Sequence, residues 1–461
     1  MSVTAARLGS APVTLDWSHL AKPSSNVGGG GAPLAPSDAW TQLKSRFEKG
    51  EVGFYDAPLN DEISQAQASQ KLATEVLAQG FTDCLFLGIG GSSLGPLSVL
   101  AGLQDRRQNR IRFHFMENPD ALEWAGTLRG LDPASTLVCV VTKSGTTFET
   151  MAQFLCALDW LGESRIQSHV VAITDPAKGD LKAFATQQKI RTLHIMPSVG
   201  GRFSVFTPVG LFAIALAGLN VTDFLLGAKQ VRDFCEKQPL EKNPLFIIGA
   251  ELIKQFSKRP IHVCMPYSTR LRSVGDWFVQ LWGESLGKDG KGFTPLACVG
   301  ATDQHSILQL LRDGPDDKVT WFITVDKVAD PVKIPRPELK GTTTGQYGAF
   351  RLLQGHTLQE LLTVEYRATS LVLTRQNRPN LSIQLDQLDE RAIGALYFAF
   401  SVLTAFTGTL WGVNPFDQPG VEEGKVYIRD SLTQSAEHSS NTSSGFADDD
   451  NSPVARLRRG Q

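Results

Sequence analysis

Short apolar runs alternate with amphipathic stretches along most of the chain. The apolar runs predict strands at residues 84–87, 111–115, 138–142 and 170–173, and helical periodicity separates several of them, after a first helix at 63–79. The same order resumes at residue 244, with helices at 244–256, 272–286 and 390–410 and strands at 261–265, 297–299, 319–325 and 381–385. Such alternation predicts an α/β fold whose mostly parallel sheets are covered by helices.

The pattern divides the chain into four segments. Residues 1–58, with a glycine run at 28–31, predict an irregular N-terminal arm. Residues 59–235 and 236–430 predict two α/β domains of similar size, joined near the charged stretch at 236–243. Residues 431–461 are polar and aperiodic, which predicts a disordered tail.

Composition narrows the class of protein. The chain has 461 residues, of which 42% are apolar and 20% are charged. Its net charge is −2, so it has no surplus of basic residues that would favour binding to nucleic acid. Its six cysteines include no C-x-x-C pair, which indicates free thiols in a reducing compartment. The uncharged stretch 203–222 is too interrupted by Pro208 and glycines to span a membrane, and no secretory signal is visible. We therefore expect a buried helix there and a cytoplasmic protein.

Two loops that follow predicted strands are candidate anion sites. LGIGGSSLGP (87–96) brings backbone N–H groups to a helix start, although a tight turn alone also explains its glycines. TKSGTTFETM (142–151) places hydroxyls and Lys143 at a second helix start. One capping hydroxyl would leave the others unexplained, so phosphate binding is favoured there.

Two further segments carry groups suited to proton transfer. In GGRFS (200–204), Arg202 either borders an apolar core or keeps its guanidinium in water. Gln280 and Glu284 share one helix face in an aromatic-rich segment, which suits a general base. The alternative for Glu284 is an i,i+4 ion pair with Lys288.

The last two motifs are weaker by themselves. His305, in TDQH, is expected in the first turn of a helix at 307–311, where a neutral imidazole could exchange a proton, although a lone histidine is more often structural. FDQPGVEEGK (416–425) is typical of a turn with solvated charges.

Together and in this order, these six motifs resemble the glucose-6-phosphate isomerase family, in its bacterial form, over about residues 88–425. The resemblance implies two sugar-isomerase (SIS) domains, each a three-layer α/β/α sandwich. It implies reversible isomerisation of glucose 6-phosphate to fructose 6-phosphate in glycolysis and gluconeogenesis, with no cofactor and no metal. It also implies a homodimer in which His305 reaches the neighbouring subunit's site.

The resemblance also assigns roles to individual residues. Glu284 is the expected base, His305 and Lys425 are expected to assist ring opening, and Arg202 is expected to steady the enediolate. The expected phosphate and sugar contacts are Gly91, Ser92, Thr142, Ser144, Thr147, Gln280 and Gln418. Lys143 is expected to bind substrate because of its place among the donors of the hydroxyl loop, not because of the resemblance. Thr142 stands where the family usually has serine, and the tail after residue 431 has no counterpart in the family.

Two rival functions use parts of the same pattern. A sugar-phosphate-binding regulator, or the isomerase domain of an aminotransferase, would keep the hydroxyl loop without requiring Glu284, His305 and Lys425 together. A nicotinamide dehydrogenase would use the glycine loop with Glu117 as the ribose ligand, but Ser93 occupies its third glycine position.

Overall fold

A computed structural model describes residues 4–20, 33–339 and 342–441. The chain forms two compact units, Met1–Phe416 and Asp417–Gln461. The strands are β1 (Ala5–Arg7), β2 (Val13–Asp16), β3 (Asp83–Leu87), β4 (Arg112–Met116), β5 (Thr136–Val141), β6 (Val170–Thr174), β7 (Arg191–His194), β8 (Ile261–Pro266), β9 (Thr294–Ala297), β10 (Lys318–Lys327), β11 (Glu338–Leu339), β12 (Thr342–Thr343) and β13 (Asn380–Gln387).

Helices cover the strands of the first unit. They are α1 (Pro36–Glu48), α2 (Asp61–Ser64), α3 (Ala66–Leu77), α4 (Leu94–Gly102), α5 (Ala121–Leu128), α6 (Phe148–Leu161), α7 (Ile166–His169), α8 (Asp180–Gln187), α9 (Pro208–Leu216), α10 (Val221–Lys237), α11 (Pro244–Gln255), α12 (Arg272–Leu286), α13 (Leu308–Asp313), α14 (Gly348–Leu353), α15 (Leu358–Arg375) and α16 (Glu390–Leu410). The second unit contains α17 (Glu422–Asn441).

Two larger sheets lie within the first unit. One is entirely parallel, in the order β4-β3-β5-β6-β7, and the other has the order β1-β2-β13-β10-β8-β9. In the second sheet β8, β9, β10 and β13 are parallel, whereas β1 and β2 form an antiparallel edge. The predicted α/β class with mostly parallel sheets is confirmed.

Alternation along the strands explains the layers. Cys84 and Phe86 of β3 face one large core, whereas Leu85 and Leu87 face a separate cluster that α6 and α8 cover. The second sheet shares the large core through Trp321 and buries its other face under α13 and α15. Because both faces are covered, the central strands are continuously buried, as parallel strands usually are.

The structure corrects two predictions at the chain ends. The expected irregular arm of residues 1–58 contains α1 and a strand pair, and β2 adds to the second sheet against β13. The expected disordered tail from residue 431 is helical as far as Asn441, and residues 442–461 lie outside the described range. The predicted domain bounds 59–235 and 236–430 remain a prediction.

Two apolar stretches are core helices. The uncharged stretch 203–222 is buried as expected, although it comprises a 3-10 helix (Gly201–Phe206), α9 and the start of α10 rather than one helix. Among the described helices, α16 is long and apolar enough to cross a membrane, with mean hydropathy 1.6, and its apolar stretch is fully buried inside the fold.

Candidate active site

The candidate site forms where strands of the first sheet end. The glycine loop follows β3, the hydroxyl loop follows β5, and the segment leading to Arg202 follows β7. Carboxyl ends of parallel strands meet at one edge of a sheet, and ligands of open α/β sheets bind there. The topology therefore gathers three of the six motifs on one edge.

The hydroxyl loop is a cluster of donors at the N-terminus of α6. Thr142 Oγ1 lies 2.8 Å from Thr147 Oγ1, and Ser144 Oγ lies 3.4 Å from each of them. Thr147 occupies the N-cap position, yet its side chain makes no capping hydrogen bond to the helix backbone. The capping explanation for Thr147 is therefore wrong. Ser144 Oγ also accepts hydrogen bonds from the backbone N–H and the hydroxyl of Thr146, so the hydroxyls form one cluster at the positive end of a helix, where an anion is stabilised.

The glycine loop touches the Arg202 segment directly. A Cβ atom at Gly91 would lie 2.2 Å from the carbonyl carbon of Gly201 and 2.5 Å from the backbone nitrogen of Arg202, so only glycine permits this approach. Gly90 has φ +57 and packs against the Gln280 amide. Ser92 lies in the same turn, half-buried, in the 3-10 helix Gly90–Ser92.

Arg202 is the most constrained charge of the site. Its side chain is 2% exposed, and Nη1 donates to Glu284 Oε2 at 3.0 Å. Nε donates to Ser285 Oγ at 2.7 Å, and Nη2 donates to the carbonyl oxygen of Pro415 at 2.7 Å. The structure therefore places Arg202 at the edge of the core rather than in water.

Helix α12 brings Gln280 and Glu284 to this guanidinium. Its buried face includes Trp277, Leu281 and Trp282, so the opposite face, with both polar side chains, borders the glycine loop. Glu284 retains 34% exposure and pairs with Arg202, whereas the Lys288 ammonium donates to backbone carbonyl oxygens of Ser285 and Asn414. The alternative ion pair of Glu284 with Lys288 is wrong.

A buried acceptor in this wall lacks a partner. Gln280 Oε1 accepts no hydrogen bond from the described residues. Because an unpaired buried acceptor costs about 1–3 kcal/mol, a bound molecule with a hydroxyl group would satisfy it. Gln280, Glu284 and Arg202 thus form one wall of the candidate site, and the hydroxyl loop is its candidate anion-binding part.

Lys143 is held in a way that the sequence did not indicate. Its ammonium donates to the carbonyl oxygens of Pro197 at 2.7 Å and Val199 at 2.9 Å. Burial lowers the pKa of this amine. Backbone carbonyls leave no signature in the sequence, so these contacts follow from the fold and not from a local motif.

His305 makes no hydrogen bond or ion pair to this group of described residues. It ends the 3-10 helix Thr302–His305 and precedes α13, so it is not in the first helical turn as predicted. The side chain is exposed and makes no hydrogen bond or ion pair within the described part of the chain. Its neighbour Gln304 is anchored, because Nε2 donates to Tyr267 Oη at 2.7 Å and Thr369 Oγ1 at 2.8 Å.

Gln418 and Lys425 belong to the second compact unit. Gln418 precedes the 3-10 helix Pro419–Val421. Lys425 lies in the first turns of α17, where its ammonium contacts Glu422 at 2.7 Å. Their expected roles remain predictions.

Comparison with known proteins identifies the family. The family model described as "Phosphoglucose isomerase" matches residues 73–452. Glucose-6-phosphate isomerase of Rubrobacter xylanophilus is 44% identical over 388 residues, covering 81% of this chain and 87% of the relative. That of Carboxydothermus hydrogenoformans is 37% identical over 409 residues, covering 84% and 86%.

Solved structures agree with the fold. A hypothetical protein of Thermus thermophilus has a TM-score of 0.79 at 35% identity, covering 86% of this chain and 94% of that one. Glucose-6-phosphate isomerase of Chlamydia trachomatis also has a TM-score of 0.79, at 22% identity, covering 99% and 92%. Because the family model matches residues 73–452 and the Rubrobacter and Carboxydothermus relatives are 44% and 37% identical over most of its length, the chain belongs to the phosphoglucose isomerase family.

Proposed function

We propose that this chain interconverts glucose 6-phosphate and fructose 6-phosphate, in glycolysis and gluconeogenesis, by moving a proton between C2 and C1 through a cis-enediolate. The observation that carries the proposal is the pairing of Glu284 with the buried Arg202 guanidinium at 3.0 Å. A carboxylate can take a proton from one carbon and return it to the next. A fixed guanidinium beside it stabilises the negative oxygens that develop meanwhile.

The substrate phosphate is bound by the hydroxyl loop. Thr142, Ser144 and Thr147 lie within 3.4 Å of one another at the start of α6. Gly91 and Ser92 contribute the neighbouring wall, and Gln280 contributes an acceptor for a sugar hydroxyl. Binding the remote phosphate supplies the energy that orients C1 and C2 against Glu284.

Ring opening needs a separate acid–base group. Two observations favour His305: its imidazole is exposed, and the turn that carries it is fixed by Gln304. We assign it to the neighbouring subunit's site in a homodimer. Lys425, near the ring oxygen, and Gln418, on the substrate, are assigned by their match to the family motif alone.

The homodimer proposal has a direct test by complementation. Glu284→Gln and His305→Ala homodimers are each expected to be nearly inactive. After denaturation and refolding as an equal mixture, half of the dimers are hybrids, and each hybrid contains one intact site of its two. Activity is then expected to recover to about a quarter of wild type, given twofold symmetry and random assortment. No recovery would place His305 in the site of its own subunit.

The reaction is tested with purified protein and fructose 6-phosphate. Glucose 6-phosphate is detected with its dehydrogenase, added after EDTA treatment of the isomerase. Turnover that survives EDTA is expected, because every proton-transfer role is assigned to a side chain. Absence of turnover would overturn the proposed function. We further propose a cytoplasmic location, because all six cysteines are free thiols.

A further inference from the structure

The Lys143 side chain crosses from one strand-end loop to another. It follows β5, and its two acceptors, the carbonyl oxygens of Pro197 and Val199, follow β7. Strand β6 lies between β5 and β7 in the sheet, so the two loops are about 10 Å apart at the strand spacing. An ammonium has three N–H donors, and two of them are used on these backbone oxygens.

The acceptor segment is also held from its other side. The backbone N–H of Gly53 donates to the Ser198 carbonyl oxygen at 3.0 Å, between the two carbonyls that Lys143 binds. Three successive carbonyls, those of 197, 198 and 199, are therefore fixed. Three residues beyond Val199 the chain reaches Arg202, whose guanidinium holds Glu284.

The hydroxyl loop is also supported by the loop after β6, the strand beside β5. A Cβ atom at Gly179 would lie 2.3 Å from the Ser144 carbonyl oxygen, and Leu181 donates its backbone N–H to the Gly145 carbonyl at 3.3 Å. Lys143 provides the corresponding contact toward Arg202. The loop is thus tied to two segments, and only the one after β7 leads to Arg202, which pairs with the proposed base Glu284.

We propose that Lys143 is a positioning residue that locks the phosphate-binding hydroxyl loop to the segment carrying Arg202, and that its ammonium does not bind the phosphate. The inference rests on the proposed function and deepens it. Phosphate bound by Ser144 and Thr147 orders the loop next to Lys143, and the two carbonyl contacts transmit that order to Arg202 and Glu284. The free energy of binding the distant phosphate thereby orients Arg202 and Glu284 against the reacting carbons.

Burial supports this role. The ammonium is partly removed from water, and this burial lowers the pKa of the Lys143 amine. Hydrogen bonds to two carbonyls compensate for that loss. Replacing the ammonium by a methyl-terminated chain would leave both carbonyls unpaired while keeping most of the side-chain volume.

Lys143→Met in the full chain separates positioning from phosphate binding. We expect kcat to fall about tenfold to hundredfold, the range for a reacting group misplaced by up to 1 Å. KM for fructose 6-phosphate and the inhibition constant of inorganic phosphate should stay within about twofold. A five-carbon sugar-acid phosphate, whose carboxylate mimics the enediolate, should bind at least about tenfold more weakly, because only this ligand needs Arg202 in place. An inhibition constant for inorganic phosphate raised about tenfold or more, with kcat unchanged, would overturn the proposal.

Lys143→Arg provides a second arm that keeps the charge. Arginine binds phosphate well, so a phosphate ligand would tolerate this change. A guanidinium presents its N–H donors in a fixed plane and not from a compact point, so we expect the two carbonyl contacts to be distorted and kcat to fall while KM is retained. Wild-type kcat in Lys143→Arg would contradict the proposed role, even if Lys143→Met fails to fold.

Lys291→Met is the matched control, because the Lys291 ammonium also donates to a backbone carbonyl, that of Trp411, at 2.8 Å. Its kcat and its affinity for the enediolate mimic should remain at wild-type values. A kcat loss in Lys291→Met equal to that in Lys143→Met would mean that the effect is general destabilisation. Failure of the proposed function itself would appear differently, as a wild-type protein with no isomerase activity.

Discussion

Replacing Gly91 by alanine is expected to damage catalysis through backbone displacement. The added Cβ would lie 2.2 Å from the Gly201 carbonyl carbon, whereas carbon atoms in contact prefer about 3.5 Å. The glycine loop and the Arg202 segment must therefore separate by about 1.3 Å. A displacement of about 1 Å in a reacting group can cost about 10²-fold, so we expect kcat/KM to fall by that factor.

Steady-state kinetics and thermal unfolding of Gly91→Ala measure the two consequences separately. Overpacking should lower the free energy of unfolding by about 1–3 kcal/mol. Gly201→Ala is the stability control, because its Cβ would meet only the Gly91 Cα, at 4.0 Å. Gly126→Ala, on the surface of α5, is the activity control. Wild-type kcat/KM in a folded Gly91→Ala variant would refute the claim that this approach positions Arg202.

Three further predictions concern individual side chains. Ser144→Ala combined with Thr147→Ala should raise KM for fructose 6-phosphate, since hydrogen bonds to a charged group contribute about 1.5–3 kcal/mol each. An unchanged KM in the folded double variant would exclude both hydroxyls from the phosphate site. His305→Ala should slow turnover of the cyclic sugar far more than it weakens inhibitor binding. If the variant turns over the cyclic sugar as fast as wild type, His305 has only a structural role. Burial lowers the pKa of His262 to about 3, so the folded chain resists a proton that the unfolded chain accepts near pH 6.5. Its contribution to stability is complete above pH 6.5 and falls by up to about 1.4 kcal/mol per pH unit below it. Denaturant unfolding between pH 4.5 and 7 should therefore show that the free energy of unfolding depends less steeply on pH in His262→Asn than in wild type. The same dependence on pH in both proteins would refute this.

Local patterns predicted the elements that are strongly periodic or continuously apolar. The expected helix at 272–286 coincides with α12, because its apolar face repeats at helical spacing and Gly287 follows it. The strand expected at 297–299 lies instead at Thr294–Ala297, an edge strand with largely exposed residues and no apolar run. β2 was missed because it depends on pairing with β13, about 370 positions away, and β1 was missed because it pairs with β2 in turn.

The site shows the same division. Its residue types could be predicted, because strand-end glycines, clustered hydroxyls and an amphipathic carboxylate each leave a local signal. The pairing of Arg202 with Glu284 joins residues 82 positions apart, and the contacts of Lys143 end on backbone carbonyls. No spacing of residues in the sequence predicts either contact, since both arise where the fold brings the strand ends and α12 together.

The central claim is that Glu284 carries the proton between C2 and C1. The most direct measurement compares wild type with Glu284→Gln in heavy water, following deuterium in the sugar by NMR. Wild type should incorporate deuterium at C1 or C2, because the proton resides on a carboxylate that is 34% exposed. Glu284→Gln should fold, bind substrate analogues near wild-type affinity, and show neither conversion nor exchange, because an amide cannot accept the proton. Exchange at the wild-type rate in Glu284→Gln would contradict the account and assign the base to another residue.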